Sequence, residues 1–274
     1  MPELPEVETI KRGLEKKIIG QKISRIDILD AKPVGSSNKN FKNKLKGRKI
    51  KSVKRRAKIL IIGFDSDLFM IVHLKITGQL VYHKKNDQHN KYTRVIFYFT
   101  DQTKLYFNDM RKFGYLKLFN KTELEKELKR LDFGPEPLSS DFRLKNFREI
   151  LKKRKNKPIK PLLMDPRLIA GIGNIYASEA CFLAGIRPSR RAGTLTKKES
   201  EKIFKAVKKV LKKSLKYGGT SADAYINAEG KEGDFEKMLY VYGRRGEKCK
   251  KCQAEIKSIK QAGRGTYFCS NCQK

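Results

Sequence analysis

Two residues at the start of the chain combine groups that could do covalent chemistry. Pro2 follows Met1, and Glu3 places a carboxylate directly beside it. If Met1 is removed, Pro2 becomes a secondary amine; an α-amino group titrates at about 7.7–8.0, so part of it is nucleophilic at neutral pH. Such an amine can attack a sugar or carbonyl carbon and form a Schiff base. Considered alone, the pair is better explained as a frayed chain end, so the rest of the sequence must decide.

Four cysteines near the other end of the chain have spacing typical of a metal site. Cys249 and Cys252 form one Cys-x2-Cys pair, and Cys269 and Cys272 form a second. Zn²⁺ favours four sulfur ligands in a tetrahedron, and this spacing suits such a site. We therefore predict one structural Zn²⁺, on which folding of the segment depends. A redox pair or a disulfide knot is the alternative, and Cys181 is interpreted as a buried apolar residue.

The charge of the chain indicates a polyanionic partner. Lys and Arg number 64 against 29 acidic residues, which gives a net charge of +35. Nucleic acid is the usual partner of such a chain, although a lysine-rich genome could account for part of the excess. The sequence has no apolar run long enough to span a membrane, and its start lacks the layout of a signal peptide. We expect a cytosolic protein with no membrane partner.

The first half of the chain predicts one helix followed by many short strands. Val7, Ile10, Leu14 and Ile18 recur at helical spacing, with Pro5 suited to the first turn of that helix. Alternating, β-branched or aromatic segments then predict strands, and strands this short and numerous are typical of an antiparallel sandwich. The predicted strands are 23–28, 59–64, 68–74, 78–82, 93–100, 105–107 and 115–119.

The second half is predicted to be helical up to the cysteine pairs. A run rich in proline and glycine at 132–140 indicates a domain boundary, and Thr196 with Glu199 forms a capping box for a further helix. The polar segment 221–238 is predicted to be a long loop. The predicted organisation is a first domain 1–132, a hinge 133–140, a second domain 141–240 and a zinc finger 241–274.

Six motifs together give the chain a resemblance to a known family. They are Pro-Glu-Leu-Pro-Glu-Val-Glu at 2–8, Arg-Arg-Ala-Lys at 55–58, Gly-Pro-Glu-Pro-Leu at 134–138, Gly-Ile-Gly-Asn-Ile-Tyr-Ala-Ser-Glu at 171–179, Val-Tyr-Gly-Arg at 241–244 and the four-cysteine finger. In this order they extend nearly from end to end, which chance would not produce. The sequence resembles the bacterial formamidopyrimidine-DNA glycosylases.

The resemblance implies a fold and an activity. The implied fold is α+β with two domains: an N-terminal antiparallel β-sandwich with flanking helices, then a helix–two-turn–helix domain with a four-cysteine zinc finger. The implied function is base-excision repair by a glycosylase and abasic-site lyase. Such an enzyme everts and removes oxidised purines, namely 8-oxoguanine and formamidopyrimidines, and nicks the strand by β,δ-elimination. Its partner would be damaged double-stranded DNA at the bacterial nucleoid, bound by a monomer without an obligate protein partner.

The same resemblance assigns catalytic roles to four residues. Pro2 would attack the anomeric carbon of the sugar, and Glu3 would protonate the opening sugar ring. Lys58 matches the lysine assigned to β-elimination, and Arg264 matches the arginine assigned to δ-elimination. Because an arginine that stays charged does not readily donate a proton, phosphate binding is an alternative role for Arg264.

The resemblance also assigns residues to DNA binding. Ile76, Arg111 and Phe113 match three residues that fill the gap left by the everted base. Many members have methionine where this chain has Ile76, and often a DNA-contacting histidine where it has Tyr92. The remaining assignments are Asn174 and Lys155 as phosphate or backbone contacts, Tyr242 as a DNA-binding residue, and Lys160 with the loop 221–238 near the everted base.

Two other functions stay open at this point. Enzymes of the endonuclease VIII type share the terminal proline and the helical motif but prefer oxidised pyrimidines; Leu4 and the Val7-Glu8 pair favour the purine enzyme. A catalytically silent zinc-ribbon protein that binds DNA or RNA would keep the basic surface and the finger. It would have no use for a free Pro2, so trapping of a covalent intermediate separates it from the enzyme.

Overall fold

The described residues of the chain group into two units. The computed structural model describes residues 1–34, 37–84, 87–221 and 224–274. The first unit contains Met1–Leu131 and Leu215–Glu236, and the second contains Asp132–Ser214 and Lys237–Lys274.

The grouping of Leu215–Glu236 with the first unit differs from the prediction, which assigned this segment to the domain 141–240. It groups with the first unit because Tyr225 and Ala228 are buried in that unit's core. Gly13 permits this packing, since a Cβ there would lie 2.8 Å from the Ala228 Cβ. Residues 222 and 223 of the predicted loop 221–238 lie outside the described residues.

The first unit is an antiparallel β-sandwich with flanking helices, as predicted. Its elements are α1 (Leu4–Ile18), β1 (Ile23–Ile28), α2 (Asn38–Leu45), β2 (Ile50–Arg56), β3 (Ile59–Phe64), β4 (Leu68–His73), β5 (Gly78–His83), β6 (Thr93–Phe99), β7 (Lys104–Asp109), β8 (Tyr115–Asn120) and α3 (Lys121–Leu131). The strands form two four-stranded sheets in the orders β1-β6-β7-β5 and β2-β3-β4-β8. One hydrophobic core includes residues from both sheets and from α1.

Helix α1 follows the predicted pattern closely. Its apolar residues Val7, Ile10, Leu14 and Ile18 are all buried in the core. Pro5 lies in the first turn, where the missing N–H removes no intrahelical hydrogen bond. The helix therefore fixes the position of the first residues of the chain against the sandwich core.

The second unit is helical and ends in a hairpin. Its elements are α4 (Leu144–Lys153), α5 (Ile159–Leu163), α6 (Asn174–Ala184), α7 (Lys197–Lys216), β9 (Ile256–Gln261) and β10 (Arg264–Cys269). The predicted capping box is confirmed, because Glu199 N–H donates to Thr196 Oγ1 and Thr196 N–H donates to Glu199 Oε2. Within the described ranges, no helix combines the length and apolar character needed to cross a membrane.

Candidate active site and zinc centre

The N-terminal pair is buried where α1 begins. Pro2 and Glu3 are both buried, and Glu3 is the N-cap residue of the helix. The Glu3 N–H donates to Glu6 Oε2 at 2.8 Å, and Glu6 Oε1 accepts the Thr220 N–H at 2.8 Å. Glu6 lies in the first turn of α1, where the helix dipole favours a carboxylate. In the structure its buried carboxylate ties the start of α1 to the segment Leu215–Glu236.

Lys58 lies in a two-residue turn that joins β2 to β3. Arg56 and Ile59 are paired on either side of this turn, and Ala57 has a φ of 52°. The Arg55 guanidinium donates to the Ala57 carbonyl at 3.0 Å and to Glu8 Oε2 on α1 at 2.8 Å. The turn that carries Lys58 is thus connected through Arg55 to the helix that carries the N-terminal pair.

His73 lies beside the candidate site, and the sequence did not identify it. It is the β4 partner of Ile59, the residue that follows Lys58. Burial, together with the charges of Lys75 and Lys58, lowers the pKa of the His73 imidazole from 6.5 to about 3. His73 Nδ1 lies 3.0 Å from the Lys75 backbone N–H and accepts its hydrogen bond. The proton of the neutral ring therefore lies on Nε2, which makes His73 an uncharged donor near a cationic lysine.

We expect His73 to make folding sensitive to acid. The unfolded chain protonates His73 below about pH 6.5, whereas the folded protein keeps it neutral down to about pH 3. Because only the unfolded state takes up this proton, the free energy of unfolding falls as the pH is lowered through that range, by up to about 1.4 kcal/mol per pH unit. In His73→Asn, the loss between about pH 7 and about pH 5 should be smaller by about 2 kcal/mol, as measured by urea unfolding.

The exposed His89 provides the control for this prediction. The variant His89→Asn should keep the acid dependence of the wild type. Equal pH dependence in the wild type and in His73→Asn would show that His73 does not titrate in this way.

Two loops of the first unit present the residues assigned to gap filling. Ile76 lies in the loop between β4 and β5, and Arg111 and Phe113 lie in the loop between β7 and β8. Phe113 is 48% exposed, and the Arg111 guanidinium lies 5.0 Å from the centre of its ring. Tyr92, which is also exposed, accepts the Asp109 N–H through its backbone carbonyl at 2.9 Å. Cationic and aromatic groups therefore occur together at the tip of one of these loops.

In the second unit, Asn174 and the start of β10 are brought together by a buried lysine. Lys160 Nζ donates to Asn174 Oδ1 at 2.5 Å and to Thr266 Oγ1 at 2.7 Å. Asn174 Nδ2 donates to the Gly265 carbonyl at 3.1 Å, and Arg264 is the residue before that glycine. Asn174 is also the first residue of α6, where backbone N–H groups and the helix dipole favour an anion.

Tyr242 and Lys155 lie elsewhere in the same unit. The Glu179 carboxylate accepts the N–H groups of Tyr240, Val241 and Tyr242 at 2.8–2.9 Å and so fixes the segment that carries Tyr242. Burial raises the pKa of the Glu179 carboxyl, and the three N–H donors oppose this shift. Lys155 is exposed in the loop between α4 and α5, beside a surface cavity of about 450 Å³. Other cations line that cavity: Lys153, Arg154, Lys157 and Arg167.

The four cysteines form a site that fits one Zn²⁺. Their sulfur atoms all lie within 4.8 Å of one another, with Cys249 and Cys272 Sγ 3.9 Å apart and Cys252 and Cys269 Sγ 3.5 Å apart. Zn–S bonds of about 2.3 Å in a tetrahedron give S–S separations near 3.8 Å, whereas a disulfide requires about 2.05 Å. The sulfur geometry agrees with the predicted tetrathiolate zinc site. Cys181 is fully buried in α6, away from this group.

Family models match three successive parts of the chain. The formamidopyrimidine-DNA glycosylase N-terminal domain matches residues 1–116, the H2TH domain of the same family matches 133–225, and a zinc finger found in FPG and IleRS matches 246–274. Among curated relatives, a formamidopyrimidine-DNA glycosylase of Bacillus licheniformis is 41% identical and one of Listeria monocytogenes is 39% identical. Each alignment covers 100% of this chain and 100% of the relative.

Solved structures with the same fold include complexes with damaged DNA. A mutant of the Lactococcus lactis FPG bound to DNA containing Fapy-dG is similar with a TM-score of 0.93 at 38% identity, over 100% of both chains. The L. lactis Fpg bound to DNA containing an abasic site is similar with a TM-score of 0.93 at 38% identity, over 99% of both chains.

Proposed function

The chain belongs to the formamidopyrimidine-DNA glycosylase family, and we propose that it removes oxidised purines from double-stranded DNA and then cleaves the strand at the resulting site. The observation that carries this proposal is the buried Pro2–Glu3 pair at the start of α1. A frayed end would be exposed and without fixed partners. Here the pair is held by the Glu3–Glu6 hydrogen bond, and removal of Met1 would turn Pro2 into a positioned secondary amine.

The first step uses Pro2 and Glu3. The Pro2 nitrogen attacks the anomeric carbon of the damaged nucleotide, and the bond from that carbon to the base breaks, with its electron pair leaving on the base. The Pro2 nitrogen gives up its proton, and the departing base takes one up. Glu3 donates a proton to the ring oxygen as the sugar opens, and the product is an iminium between Pro2 and the sugar. Loss of a proton from the adjacent carbon then expels the 3′ phosphate, and a second elimination expels the 5′ phosphate.

The remaining assigned residues serve elimination and binding. Lys58 moves the proton in β-elimination, and its turn is anchored to α1 through Arg55. Arg264 acts at the δ-elimination step, where its permanent charge also binds phosphate. The other contacts to DNA come from Tyr92, Lys155, Asn174 and Tyr242. The net charge of +35 favours such contacts with the phosphate backbone.

Excision assays on two lesions test the proposed function. We expect the protein to release 8-oxoguanine paired with cytosine faster than thymine glycol.

Glu3→Gln should slow release of 8-oxoguanine by about 10²–10⁴-fold, because general acid catalysis accelerates a reaction by about that factor. Glu15→Gln is the matched control: it lies on the same helix, paired with Lys11 at 2.6 Å, and should retain wild-type activity.

The outcomes separate the alternatives. Faster release of thymine glycol would assign the protein to the pyrimidine-specific enzymes. Tight binding of both duplexes without release of either base would identify a binding protein. If Glu3→Gln and Glu15→Gln had equal activities, Glu3 would have no part in the chemistry.

A further inference from the structure

A buried carboxylate with no assigned role lies beneath the two loops assigned to gap filling. Asp109, the last residue of β7, is fully buried. Its Oδ1 accepts the Thr77 hydroxyl at 2.5 Å, and its Oδ2 accepts the Gly114 N–H at 2.7 Å. The Arg111 N–H is shared between Asp109 Oδ1 at 3.2 Å and Thr77 Oγ1 at 3.0 Å. One carboxylate and one hydroxyl thus connect the β4–β5 loop to the β7–β8 loop.

Each of the three residues assigned to gap filling either takes part in one of these hydrogen bonds or directly precedes a residue that does. Thr77 follows Ile76, the N–H of Arg111 itself is bonded, and Gly114 follows Phe113. The side chains of Arg111 and Phe113 are exposed and receive little support from packing. Their position must therefore be set mainly by the backbone below them.

Backbone strain and close packing in both loops are consistent with this support. Lys75 has a φ of 54° and Lys112 a φ of 56°, left-handed conformations that are unfavourable for a non-glycine residue. A Cβ at Gly114 would lie 3.1 Å from Asp109 Oδ2 and 2.8 Å from the Phe107 ring. The carboxylate can approach the β7–β8 loop this closely because residue 114 is glycine.

We propose that Asp109 and Thr77 are positioning residues that hold Ile76, Arg111 and Phe113 in the arrangement needed to fill the gap left by an everted base. This inference rests on the proposed function. Eversion loses stacking and pairing energy, which the inserted side chains must offset. Loops that are already rigid lose no further conformational entropy when those side chains insert. An abasic site has no base to evert, so its cleavage depends less on the support that Asp109 and Thr77 give to the loops.

The test compares excision from intact duplex with cleavage of a preformed abasic site. In Asp109→Asn, one acceptor oxygen is replaced by an NH₂ group, so one of the donors at the carboxylate loses its acceptor. Thr77→Val removes the bridging hydroxyl with little change in shape, and Thr77→Ser keeps it. We expect Asp109→Asn and Thr77→Val to slow release of 8-oxoguanine by about tenfold or more, as for loss of a buried hydrogen bond to a charged group. Cleavage of the abasic site should persist near the wild-type rate, and Thr77→Ser should restore excision.

Asp101 provides a matched control in the same sheet. It lies in the turn between β6 and β7, where its Oδ1 accepts the Thr103 hydroxyl at 2.6 Å and the Thr103 N–H at 3.0 Å. Asp101→Asn therefore disturbs a similar set of carboxylate hydrogen bonds at the opposite end of β7. It should leave the rates of 8-oxoguanine release and of abasic-site cleavage unchanged. If Asp109→Asn does not fold, the Thr77 pair decides the question.

The possible failures are distinguishable. A wild-type protein inactive on both substrates would overturn the proposed function, and this inference with it. If the wild type is active but the variants lose both activities equally, or lose neither, the positioning role alone is wrong. The same conclusion holds if Thr77→Ser behaves like Thr77→Val.

Discussion

Only chains that have lost Met1 are expected to form a covalent adduct with abasic-site DNA when borohydride is present. Borohydride reduces an iminium to a stable amine, and an iminium requires a free amine. While Met1 is attached, the Pro2 nitrogen belongs to a peptide bond whose resonance removes its nucleophilicity. The structure already buries Pro2 and fixes Glu3 as the N-cap of α1, so loss of Met1 changes the chemistry without requiring a new fold.

The same chain can serve as its own control in this experiment. One preparation is treated with methionine aminopeptidase and the other is not, and intact mass spectrometry gives the fraction of chains that begin at Pro2. The yield of adduct should rise in proportion to that fraction. Pro2→Gly should lower the yield while melting at the wild-type temperature. Equal adduct from chains that retain Met1 would assign the nucleophile to another amine.

Local patterns in the sequence predicted most of the first unit. The helical spacing from Val7 to Ile18 predicted α1, and apolar β-branched segments predicted β3 and β4 to within a residue at each end. The predictions succeed for segments rich in apolar, β-branched or aromatic residues, whether most of the side chains are buried, as in β3, or only two of them, as in β1. They fail for β2, in which only Ile50 and Val53 are buried, and for the lysine-rich α2. In both, pairing or packing with distant residues decides the structure.

The supporting residues of the candidate site could not be predicted for a related reason. Glu6 bonds to Thr220, 214 residues away, and Asp109 bonds to Thr77, 32 residues away. No local spacing marks such pairs. His73 likewise acquires its low pKa from burial, from the sequence neighbour Lys75 and from Lys58, which the β3–β4 pairing brings near it. The reactive groups have recognisable types in the sequence, whereas the groups that position them acquire their roles through tertiary contacts.

Replacement of one zinc-binding cysteine is expected to have the second large effect. In Cys252→Ser, bound zinc should fall from one equivalent to none, and binding and nicking of damaged DNA should be lost. Among the described residues, the hydrophobic cluster that holds the finger contains five buried members, namely Val241, Cys249, Ile256 and Cys269 with Phe182 of α6. Such a core cannot hold the β9–β10 hairpin without the metal, whose binding contributes about 10–16 kcal/mol in zinc-finger peptides.

Loss of the hairpin would reach the candidate site through Arg264 and Gly265. Gly265 accepts the hydrogen bond from Asn174, and the Thr266 hydroxyl accepts one from Lys160, so an unfolded hairpin frees both partners. Hydrogen exchange should therefore become fast across 256–269 in Cys252→Ser, with zinc measured by elemental mass spectrometry and DNA binding by gel shift. Cys181→Ala is the matched control, because it removes a thiol buried in α6 and should retain the metal and the nicking activity. A Cys252→Ser protein that still nicks DNA would show that the hairpin folds without its metal.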